Sequence, residues 1–182
     1  MQLNKLEGDA ALFFCESKSI KFDADRIIKI MEKAQDSFKT KASELVFVQS
    51  CGCEPCLQSK NLRLKIVVHK GDFTIQKIRN FTELAGENVI LAHRLLKNQI
   101  KSNEYWLATE PFSKSLSPQE RERFSKTIQK IDNFGKMTLD VNQFESDEPR
   151  NQKVESRSKF INFTRQAAYF MKPSLKRIFT RQ

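Results

Sequence analysis

The sequence predicts a mixed α/β domain, α+β in character, with a mostly antiparallel sheet and elements in the order ββαββαβαβ. Three observations carry this. Gly8-Asp9 divides two short apolar runs, as a hairpin turn does. Apolar residues recur at spacings of three and four over a long stretch after Asp23. Leu62 to His69 is apolar and rich in β-branched residues, and it stops at Lys70-Gly71-Asp72.

Each element follows from local pattern. Leu3 to Leu6 and Ala10 to Cys15 form the first hairpin, and the second run is so uniformly apolar that it reads as a strand buried on both faces. Asp23 is an N-cap for a helix whose apolar positions are Ile27, Ile28, Met31, Ala34, Phe38, Ala42, Leu45 and Val46. Leu62 to His69 and Phe73 to Ile78 make a second hairpin, Gly86 to Lys97 a helix, and Tyr105 to Thr109 a strand. Ser117-Pro118 opens a charged amphipathic helix running to Ile131, and Lys136 to Phe144 is the last strand.

The chain has 182 residues, 39% of them apolar, with fifteen Phe, enough to bury a core. No eighteen-residue apolar run exists and the first residues lack a signal layout, so a cytoplasmic protein is expected. The net charge is +10, but it is uneven. Residues 150 to 182 hold nine Lys/Arg against one acid, +8, leaving +2 for residues 1 to 149. The high pI therefore does not argue for nucleic-acid binding by the body. The 146–154 stretch divides a domain at 1–145 from a basic amphipathic extension at 146–182.

Two clusters bear chemistry. Asp9 at a hairpin tip is a hard oxygen ligand suited to Mg²⁺ or Mn²⁺, and Lys5 can meet a nucleotide; the plain alternative is an ordinary turn. Cys51, Cys53 and Cys56, around Gly and Pro, can converge on Zn²⁺ with Cys15, His69, His93 or a partner's residue as fourth ligand. Reduced loop cysteines and redox or iron–sulfur chemistry are the competing readings. In the extension, Phe160, Phe163, Ala167, Phe170 and Met171 share a helical stripe flanked by Arg157, Lys159, Arg165 and Lys172. Such a stripe packs on its own domain or on a missing neighbour, or lies on an anionic membrane surface; the nucleic-acid reading has fewer aromatics to support it.

Asn4-Lys5-Leu6-Glu7-Gly8-Asp9-Ala10, Leu64 to Asp72 with its His69-Lys70-Gly71 turn, and Gly86 to Leu95 resemble, in that order, three segments of class III adenylate and guanylate cyclase catalytic domains. Cys-x-Cys-x-x-Cys and Ala92 to Asn98 (AHRLLKN) resemble an uncharacterised bacterial branch of that superfamily. The resemblance implies a ferredoxin-like α/β sandwich, head-to-tail pairing with a second copy or another cyclase-like segment, and a purine nucleotide at the interface. It also implies roles: Asp9 as the second metal aspartate, Lys5 and Glu83 as base-binding residues, and Arg94 as the arginine facing the transition-state charge.

Two departures shape the functional expectation. Ile90 stands where such domains carry an asparagine, and the first strand with its metal aspartate and the two following helices are missing. The favoured expectation is a catalytically degenerate cyclase-homology domain acting as a nucleotide-binding, regulatory or dimerisation module. The alternatives are an incomplete piece of an active nucleotidyl cyclase and a membrane-peripheral interaction protein using the basic extension.

Overall fold

A computed structural model describes residues 1–16, 23–48, 54, 58–79 and 81–144. Cys51, Cys53, Cys56 and the 146–182 extension lie outside the described residues. The chain divides into two compact units, one of residues 1–32 and 65–144, the other of 33–64 and 145–182.

The first unit is a mixed α and β structure. Its strands are β1 (Gln2–Glu7), β2 (Ala10–Phe14), β3 (Lys65–Val68), β4 (Thr74–Ile78), β5 (Phe81–Ala85), β6 (Tyr105–Thr109), β7 (Ser125–Ile131) and β8 (Gly135–Gln143). The helices are α1 (Ala24–Val48), which continues into the second unit, then α2 (Glu87–Leu95), α3 (Glu110–Ser113) and α4 (Pro118–Glu122). A four-stranded sheet in the order β3-β6-β8-β7 forms the centre, and β1-β2 and β4-β5 are separate hairpins. Among the described strands only β3 and β6 run parallel, because their connection carries the β4-β5 hairpin and α2.

Strand β6 is buried at every position, since it lies between two neighbours and under cover on both faces. Trp106 and Ala108 point to one core with Ala24, Ile28 and Met31 of α1 and with Phe112 and Leu116. Tyr105 and Leu107 point to the other, with Leu91 and Leu95 of α2, Ile131, Leu139 and Val141. Ile66 and Val68 of β3 join the first core and Val67 the second, as a period of two requires. Each fully buried large side chain contributes about 1.5–3 kcal/mol.

Helix α1 starts where expected: Asp23 Oδ1 accepts from the Arg26 N–H at 3.0 Å. In the second unit it buries Gln35 and Ala42. A short 3-10 turn at Ser59–Asn61 follows, with Asn61 Nδ2 donating to Gln58 Oε1 at 2.7 Å. Ser117 caps α4, its hydroxyl accepting from the Glu120 N–H at 3.4 Å.

Several elements differ from expectation. Strand β2 alternates half-buried and exposed positions rather than being buried on both faces, because it pairs only with β1. Cys15 falls just beyond it, half-buried and free. The 73–78 segment does not pair with β3; β4 pairs with β5, a strand the sequence pattern does not reveal. The helix expected to reach Ile131 stops at Glu122, and 125–131 is strand β7. Tertiary pairing decides that case. Asn133 and Gly135 adopt positive φ, 69° and 75°, closing a tight connection that sets Ile131 opposite Gly135 along β8.

Candidate functional site

Strand β1 carries the polar groups of the site. Between Leu3 and Lys5 its register against β2 shifts, so Asn4 bulges out of the pairing. The Asn4 amide donates to the Thr82 carbonyl at 3.1 Å and ties the hairpin to β5. After the bulge, Lys5 and Glu7 share a face, two residues apart. Lys5 Nζ lies 2.8 Å from Glu7 Oε1 and 3.6 Å from Glu83 Oε2 on β5. The other oxygen of Glu7 meets His93 Nδ1 of α2 at 3.1 Å.

These four side chains form a chain of charge across three elements, and solvent reaches all of them: 35% of Lys5, 42% of Glu7, 46% of Glu83 and 29% of His93 is exposed. The hydrogen bond from Lys5 holds the Glu7 carboxyl below its ordinary value, and Glu7 in turn raises the Lys5 ammonium. At such exposure each pair adds little stability. The cluster's importance is chemical, since it sets a donor and acceptors side by side.

The structure thus brings together Lys5 and Glu83, two of the residues expected to act. Asp9 sits in the Gly8-Asp9 turn and is exposed, with Gly8 at φ 61° making the tight reversal. Arg94 is half-buried on α2, and its guanidinium makes no hydrogen bond or ion pair among the described residues. Neither is bonded to Lys5 or Glu83. Ile90 is 53% exposed on the same helix. Among the described residues no three His, Cys, Asp or Glu side chains group to hold a metal ion.

Local sequence does not single out Glu7 and His93 as partners in a cluster with Lys5. The two-residue spacing from Lys5 could point to Glu7; only the packing of α2 brings in His93. His69 is engaged on both ring nitrogens, Nδ1 at 2.7 Å from Thr109 Oγ1 and Nε2 at 2.9 Å from Asn88 Oδ1. A further concealed pair lies in the core, where the Ser113 hydroxyl donates to the buried Asp140 carboxylate. Nothing in the local sequence marks either arrangement.

A family model described as "Protein of unknown function (DUF2652)" matches residues 1–105, so the chain belongs to that family. It is also 35% identical over 123 residues to an uncharacterized protein of Mycobacterium tuberculosis, Rv2561/Rv2562; the match covers 67% of this chain. The chain spans 56% of the length of that relative. No solved structure matches.

These findings correct the nucleotide-cyclase resemblance. The matching family is DUF2652, and neither a cyclase family nor a cyclase structure accompanies it. The physical reason lies in the strings themselves: a Gly-Asp reversal, a His-x-Gly turn after a strand and a Gly before an apolar helix serve many hairpins and helix starts.

Proposed function

We propose that this protein is a purine-nucleotide-binding module with a regulatory rather than catalytic role, and that Lys5 and Glu83 recognise the base. One observation carries the reading: the Lys5 ammonium and the Glu83 carboxylate, on β1 and β5, stand 3.6 Å apart and remain solvent-accessible. A purine edge offers the complementary pair. The lysine donates to guanine O6 or adenine N1, and the carboxylate accepts from guanine N1–H and N2–H or from adenine N6–H.

Asp9 would supply a single carboxylate to a cation travelling with the phosphates, and the Arg94 guanidinium, without a partner among the described residues, a cation for the phosphates themselves. The ferredoxin-like arrangement belongs to the same proposal, supported by the parallel β3-β6 pair and the antiparallel strands beside it.

Calorimetric titration of the full chain with GTP and ATP tests the proposal. Binding without turnover is expected, and Lys5→Ala or Glu83→Ala should weaken it by about tenfold or more, the worth of a charge-assisted hydrogen bond. Absence of binding to both nucleotides, or affinity untouched by both substitutions, refutes it.

A further inference from the structure

We infer that a second copy of this chain pairs antiparallel with the free edge of β2, about a two-fold axis at Leu12, joining the two β1-β2 hairpins into one continuous sheet. Among the described residues β2 pairs with β1 alone, so its outer edge presents unpaired backbone groups. The Gly8-Asp9 turn decides which ones. Glu7 and Ala10 close the two-residue loop and exchange backbone hydrogen bonds, and the alternation of an antiparallel ladder then turns the N–H and C=O of Ala11 and Phe13 outward.

This edge is unguarded. At the edges of the β3-β6-β8-β7 sheet, β7 carries exposed Lys126 and Lys130 and β3 opens with exposed Lys65, charges that oppose edge-to-edge pairing. Ala10-Ala11-Leu12-Phe13-Phe14 holds no charge, Pro or Gly, and the hairpin's bulge falls on β1. The adjoining face is apolar too. The cross-strand pairs Leu3–Phe13 and Leu6–Ala11 lie on one side of the hairpin, all of them exposed and Leu6 by 71%.

Self-complementarity selects a second copy as the occupant. About an axis at Leu12, Ala11 lies opposite the partner's Phe13 and Phe13 opposite the partner's Ala11, small against large on one face, with N–H and C=O exchanged in each pair. Asp9 and Glu16, the acids flanking the strand, then fall opposite the partner's Cys15 and the partner's Gly8, so like charges do not meet. The paired strands are short, which places the dimer among small, reversible interfaces. Lys5 and Glu7 lie on the other face of the hairpin, so the pairing is independent of the nucleotide reading.

Sedimentation equilibrium of the full chain under reducing conditions, from low to high micromolar concentration, tests the pairing. The mass should rise from 21.2 kDa toward twice that value. Phe13→Lys sets ammonium groups diagonally across the axis, and Ala11→Pro removes an N–H that the hairpin itself does not use; each should weaken association about tenfold or more. Lys126→Ala, on the guarded edge, should leave it unchanged. In wild type, hydrogen exchange of the Ala11 and Phe13 amides should slow as concentration rises. A mass that stays monomeric overturns the pairing: fast exchange at every concentration then means an open edge, and protection at every concentration means that a segment of the same chain covers it. A dimer that survives both Phe13→Lys and Ala11→Pro undiminished forms through another surface and equally overturns the proposal.

Discussion

Gly71 leaves room that Asn88 fills: a Cβ at residue 71 would lie 2.6 Å from Asn88 Oδ1. Asn88 uses the space to reach two groups, its Nδ2 donating to the Asp72 carbonyl at 2.9 Å and its Oδ1 facing His69 Nε2 at 2.9 Å. Since Oδ1 only accepts, neutral His69 carries its proton on Nε2, and Nδ1 accepts from the buried Thr109 hydroxyl. Strand β6, the end of β3 and the start of α2 are joined through one imidazole.

Gly71→Ala should therefore destabilise the protein by about 1–3 kcal/mol, as overpacking does. Asn88→Ala alone loses the two hydrogen bonds, each worth about 0.5–1.5 kcal/mol. The double variant should lose less than the sum, because shortening the side chain at residue 88 makes way for the new Cβ. Urea unfolding followed by fluorescence of the single Trp, Trp106, measures all three. Strict additivity would show that the contact is not the cause.

Ser113→Ala should cost about 1–3 kcal/mol, out of proportion to one oxygen atom. It leaves the Asp140 carboxylate, 6% exposed, without its hydroxyl donor. Asp140→Asn should be milder than Asp140→Ala, because the amide oxygen still accepts from Ser113. Thermal unfolding of the three variants gives the ranking.

Tyr105 predicts alkaline lability. Burial in the second core raises its phenol above the ordinary value, against a smaller opposing effect of the Asn98 hydrogen bond at 2.7 Å. The folded state therefore keeps a proton that the unfolded chain releases near about pH 10. This contribution is complete below that value and is lost as pH rises through the folded-state pKa. The stability difference between wild type and Tyr105→Phe should shrink or reverse between about pH 8 and about pH 11; a constant difference would contradict the assignment.

Arg121 gathers the carbonyls at the end of α3. Its Nε donates to the Ser113 carbonyl at 3.0 Å and Nη2 to those of Lys114 at 2.8 Å and Leu116 at 3.4 Å. Arg121→Ala should lose about 1–2 kcal/mol, and Arg121→Lys should not restore it, because an ammonium lacks the planar fork. Equal stability of wild type and Arg121→Lys in chemical denaturation would refute the clamp.

Much of the fold is legible from local pattern. The Asp23-capped helix, the Gly8-Asp9 hairpin and the Ser117 cap rest on interactions within a few residues, and strand β6 is marked by its own apolar run, so spacing and side-chain chemistry reveal them. Strands β5 and β7 are hidden for the opposite reason. Pro118-Gln119-Glu120-Arg121-Glu122 and the charged run after it look helical alone, and only pairing with β8 turns Lys126, Ile128 and Lys130 outward along one strand.

The candidate site divides in the same way. The residue type singles out Lys5 and a two-residue period makes Glu7 available, because these are local properties, whereas Glu83 enters only through the cyclase resemblance. That Lys5 meets Glu83, that Glu7 is shared with His93, and that Asp9 and Arg94 stand apart from them, tertiary structure alone decided. Those relations depend on how β1, β5 and α2 pack, and packing answers to burial and pairing summed over the whole unit rather than to any one segment.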